Sequence, residues 1–121
     1  MSEKINWNYV IQATNGPSLS AAGEVEVDAY DKLEVTLGDN VTQQIDLVPS
    51  ASASLIVINP VPSSEDLTYK VNGNDVKLDG PQVFIGTGAV SLLGGATSLT
   101  FTNKTGADAA LEILIGRDAT P

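Results

Sequence analysis

The chain has 121 residues, enough for one domain and too few for two ordinary ones, and at this length a core needs no disulfide or metal. It contains no cysteine and no histidine, which excludes a disulfide framework, thiolate nucleophiles and thiolate zinc sites, and removes the commonest general base. Six basic residues stand against fifteen acidic ones, a net charge of −9 with Arg117 the one arginine, so neither nucleic acid nor an anionic membrane is an expected partner.

The opening segment, MSEKINWNYV, has no apolar signal-peptide core and no cleavage pattern, and no apolar run approaches the roughly 20 residues that span a bilayer. Cytoplasmic synthesis without a signal peptide is the expectation. A period of two then dominates. Ile5, Trp7, Tyr9 and Ile11 share one face, with Asn6, Asn8 and Gln12 on the other. Trp7 and Tyr9 read as core anchors, the alternative being a platform on which a sugar ring stacks. After the break at ATNGPS, Val25, Val27, Ala29, Leu33, Val35 and Leu37 alternate with Glu24, Glu26, Asp28, Lys32 and Glu34. That pattern fits one long bent strand, or two joined near Tyr30.

Glu24, Glu26 and Asp28 lie roughly 7 Å apart along one strand face, a spacing open to paired-carboxylate catalysis or to a calcium site. The sequence offers neither EF-hand spacing nor the aromatics of a sugar cleft, so a solvated strand face is the better reading. No cofactor, metal or catalytic residue is expected.

Apolar runs follow at 41–48 and at 54–59, the second closed by Pro60 and Pro62. In LTYKVNGNDVKL (67–78), Asn72-Gly73 suits a two-residue type I′ turn, pairing Lys70 with Asp75, Tyr69 with Val76 and Leu67 with Leu78. Further strands are predicted at 82–86, 89–93, 97–102 and 109–115. GTGAVSLLGG (86–95) lacks both the third glycine of a dinucleotide loop and the lysine of a P-loop, so its glycines read as turns.

Residues 100–118, TFTNKTGADAALEILIGRD, contain the letters of three motifs: an Asn-Lys-Thr glycosylation acceptor, a Lys-Thr-Gly triplet and a scrambled integrin tripeptide. The acceptor needs secretion, and Lys-Thr-Gly enzymes also need Ser-x-x-Lys, which the chain lacks. The stretch reads instead as a hairpin whose strands, 97–102 and 109–115, flank an Asn/Gly/Asp turn. The whole is one all-β domain over residues 1–121, an antiparallel β-sandwich or jelly roll of about eight to ten strands.

LDGPQVFIGTG and SLTFTNKTGADAALEILIGRD resemble the small structural proteins of tailed phages, in which a strand ending T-x-T-N precedes a small-residue turn and an amphipathic last strand. The resemblance implies a sandwich or jelly-roll subunit for decoration, attachment or head and tail assembly, with a place in the virion and other virion proteins as partners. The expected function is a non-enzymatic structural or assembly protein. The alternative is a small β-sandwich binding module for carbohydrate or calcium.

Three later segments carry apolar residues on both faces. Ile56 and Ile58 lie behind Leu55 and Val57, Phe84 behind Val83 and Ile85, Leu93 behind Leu92, and Leu114 behind Ile113 and Ile115. A two-layer sandwich covers one face of each strand, so Ile56, Ile58, Phe84, Leu93 and Leu114 are the candidate interface of a cyclic homo-oligomer.

Overall fold

The two-residue alternation of apolar side chains becomes ten strands in the structure, a computed structural model that describes residues 3–47, 53–71, 73–93 and 98–117. They are β1 (Glu3–Gln12), β2 (Ser18–Val27), β3 (Ala29–Leu37), β4 (Thr42–Asp46) and β5 (Ala53–Val61). After them come β6 (Ser64–Val71), β7 (Asn74–Leu78), β8 (Gln82–Ile85), β9 (Ser98–Asn103) and β10 (Ala109–Arg117). A single turn of helix, α1 (Thr87–Val90), runs into a 3-10 turn at Ser91–Leu93.

Eight strands form two four-stranded antiparallel sheets, ordered β3-β10-β5-β8 and β4-β9-β6-β7. The order follows from one long hairpin. From the β6–β7 turn outward, β5 pairs β8, β4 pairs β9 and β3 pairs β10. Rolling that hairpin up brings β10 against β5 and β9 against β6. This is the jelly-roll arrangement. Leu37, Ile56, Ile58, Leu111, Ile113 and Ile115 from one sheet meet Ile45, Leu67, Tyr69, Leu78, Leu99 and Phe101 from the other. The Tyr69 and Phe101 rings lie 5.5 Å apart at the centre of that core.

Several expectations are corrected. Strands β9 and β10 do not pair: they lie in opposite sheets, and residues 104–108 arch between them. Leu99 and Phe101 do share a core with Leu111, Ile113 and Ile115, but from the facing layer. Residues 89–93 are helical, not a strand, because Val90 and Leu93, three apart, both turn inward and plug the sandwich. Strand β5 runs on through Pro60. It extends beyond the last β8 pair, Ile58↔Gln82, so the strand has one neighbour there and a missing N–H is tolerated.

In the β6–β7 hairpin, Lys70↔Asp75 and Tyr69↔Val76 pair as read, with a 3.2 Å ion pair between the charged two. Gly73 takes φ 82°, and its turn neighbour Asn72 lies outside the described residues. Leu67 and Leu78 do not pair. A bulge between Ser64 and Thr68 sets Leu78 against Ser64, while Leu67 pairs with Asn103. Ser64 Oγ accepts the Asp66 N–H at 3.1 Å within that bulge, and both leucines remain buried.

Candidate functional site

Strands β1 and β2 pair along their whole length, from Glu3↔Val27 to Gln12↔Ser18, and belong to neither sheet of the sandwich. The strand pair is an arm. Its root is fixed on the outer face of the first sheet, where Ile5 and Val27 pack directly over Gly116; a β-carbon there would sit 2.8 Å from Ile5 Cδ1 and 3.1 Å from Val27 Cγ1. Asp28 donates its N–H to the Arg117 carbonyl at 3.0 Å, and β3 begins at the next residue. The long run 23–38 is therefore two strands divided at Asp28.

The cross-strand register gives the arm one continuous apolar face: Ile5 opposite Val25, Trp7 opposite Gly23, Tyr9 opposite Ala21, Ile11 opposite Leu19. Trp7 lies flat against Gly23 and stacks on Tyr9, ring centroids 6.1 Å apart and planes 11° from parallel. Trp7 and Tyr9 are thus not anchors of the main core. Beyond the root no described residue covers this face, and exposure climbs to 65% at Ile11 and 63% at Leu19. A sequence period of two shows that a strand has an apolar face, not which layer receives it.

Gly116 is the point on which the arm's seating depends. Gly116→Val is expected to lift Ile5 and Val27 and loosen the arm, costing about 1–3 kcal/mol by overpacking. The checks are faster proteolysis between residues 12 and 18 and a changed Trp7 emission. Unchanged values of both would show that the arm is not seated there.

The second feature is an uncharged groove of about 610 Å³, with mixed apolar and polar walls, on the open side of the sandwich between the edge strands β7 and β8. Val71, Val76, Val83, Phe84 and Leu92 line it together with Asn74, Gln82 and Tyr69, and no charged side chain does among the described residues. Tyr69 donates its hydroxyl to Gln82 Oε1, and Gln82 Nε2 donates to the Lys77 carbonyl at 2.9 Å. These bonds brace β7 against β8 across the groove.

Burial pushes the Tyr69 hydroxyl up to about 12 from its ordinary 10.0. A raised acid is neutral in the fold while the unfolded chain already ionises. Its stabilising effect is therefore complete below pH 10 and is lost between pH 10 and 12, by about 3 kcal/mol. Urea denaturation at stepped pH should show this alkaline fall in the wild type and a flatter profile in Tyr69→Phe. Parallel profiles would contradict it.

Asn103 is the buried polar residue that the turn reading missed. Its Nδ2 reaches the carbonyls of Leu37 at 3.1 Å, Gly38 at 3.2 Å and Ala107 at 2.8 Å, and its Oδ1 accepts from Thr105 N at 3.0 Å. The Asn-Lys-Thr triplet is thus a structural clamp across the 104–108 arch, its amide committed to the chain's own backbone. The signal was present in the parity: Leu99, Phe101 and Asn103 fall on one strand face, and that face is the core.

The five candidate interface residues do not form a surface. Ile56, Ile58 and Leu93 are buried within the sandwich, and Phe84 packs half-buried against the same core. The reason is register. Ile58 sits opposite Ile113 and Ile56 opposite Ile115, so β5 turns its even residues inward and leaves Val57 outside. Leu114 alone lies on the outer face, half-buried between Val57 and Lys32.

Glu24 lies 4.0 Å from Lys4 on the arm's polar face, and no group of three or more potential metal ligands converges among the described residues. No family model matches the chain, and comparison with curated proteins and with solved structures finds no match either.

Proposed function

We propose that this chain is a non-enzymatic structural subunit that works by associating with copies of itself, of the virion-associated kind its C-terminal third resembles. The observation that carries the reading is the arm: a two-stranded hairpin outside both sheets of the sandwich, whose apolar face beyond the root is left exposed by the described residues. Jelly rolls serve capsid subunits, lectins and cupins alike, so the fold supports the reading only by compatibility. Two-stranded ribbons are marginal in water unless their apolar face is covered. A chain that keeps one has a use for it in contact with something else. The absence of histidine and cysteine agrees with a structural role.

Sedimentation velocity at low micromolar concentration tests this. A discrete species at a multiple of 12.5 kDa is expected, and 12.5 kDa itself at every concentration would overturn it.

A further inference from the structure

We infer that the groove between β7 and β8 of one copy receives the hairpin arm of the next. This rests on the reading of the chain as a self-associating subunit, and names the contact that builds the assembly.

The two surfaces match in chemistry. The arm offers Trp7, Tyr9, Ile11 and Leu19 on one face with no charge among them. The groove offers Val71, Val76, Phe84 and Leu92, also uncharged, with Leu92 70% exposed at its rim. Each copy carries a net charge of −9, so two copies repel wherever carboxylates face one another and meet best through uncharged surface. The arm face and the groove are two such surfaces. A basic partner would be drawn to the carboxylates of β2 and β3 instead, so the charge pattern favours a second copy as the occupant.

Beyond the seated root, the six residue pairs from Trp7↔Gly23 to Gln12↔Ser18 span roughly 20 Å, and one face of them offers an area on the order of 200 Å². Every copy both gives an arm and receives one, so each copy makes this contact twice, and each single contact lies at the small end of the interface range. The edges of β7 and β8 have no ladder neighbour among the described residues, and an arm laid beside them covers those edges. Because giver and receiver are different surfaces, the contact is head-to-tail and closes into a ring when the rotation per subunit permits.

Cross-linking tests the contact. The protein has no cysteine, so Ile11→Cys and Leu92→Cys each introduce a single thiol, at positions exposed enough to leave the core intact. Each variant is treated alone and in an equal mixture with a short bis-maleimide. The expected result is a cross-linked dimer in the mixture that neither variant forms alone. A dimer from Ile11→Cys alone shows arms pairing with arms and overturns the groove as receiver. No dimer in the mixture, with the wild type still sedimenting as an oligomer, overturns the groove but leaves self-association standing. No dimer and a monomeric wild type overturn both.

Discussion

Asn103→Leu is expected to cost about 3–5 kcal/mol. The substitution keeps volume but removes the donor from three carbonyls and the acceptor from the Thr105 N–H. Each buried polar group left without a partner costs about 1–3 kcal/mol, and water reaches some of them at the rim of the arch. Domains of this size hold only about 5–15 kcal/mol in total, so the melting temperature should fall by about 10 °C or more.

Asn103→Asp separates hydrogen bonding from packing. Its shape is the same, but a carboxylate directed at three carbonyl oxygens is disfavoured in its charged form, which raises the acid's pKa. Protonated, it donates one hydrogen bond where Asn donated two. Its stability is therefore expected to improve as pH falls from 7 toward ~4, while Asn103→Leu shows no such recovery. Thermal melts of both variants across that range check the difference. A loss below about 1 kcal/mol in either at pH 7 would show that the clamp holds nothing.

Ile11→Glu with Leu19→Glu is expected to abolish assembly while leaving the sandwich intact. The two residues face each other across the arm tip, and neither contributes to the core of the jelly roll. Losing two buried aliphatic side chains removes about 3 kcal/mol or more of association energy. That is roughly a hundredfold or greater weakening, before the cost of placing two carboxylates in an uncharged groove. Melting temperature, measured where the wild type is also dissociated, should not change. An assembly of unaltered mass would rule the arm out as the contact.

The class of fold was readable because apolar residues alternate with polar ones through β1, β2 and β3, and because turn residues punctuate the chain. Pairing between distant strands was not. In residues 54–59 both faces are apolar, and the choice of Ile56 and Ile58 as inward residues is made by Ile113 and Ile115, more than fifty residues away. Residues 89–93 form an apolar run too short for periodicity to separate strand from helical turn. Asn-Lys-Thr-Gly-Ala-Asp looks like a hairpin turn in sequence, yet Asn103 uses it to cross between layers. The two strands of the arm were legible from their alternation, but their pairing with each other and their projection were not, since coverage of an apolar face depends on what the rest of the chain places against it.

Trp7 is the one tryptophan and lies on the arm's apolar face, so its emission through a dilution series tests the central claim most directly. Docking removes water from the indole. Emission should therefore move to longer wavelength in step with the fall in mass, and Ile11→Glu with Leu19→Glu should emit at that dissociated wavelength at every concentration. A mass that falls while Trp7 emission stays fixed, or a mass of 12.5 kDa at all concentrations, would contradict it.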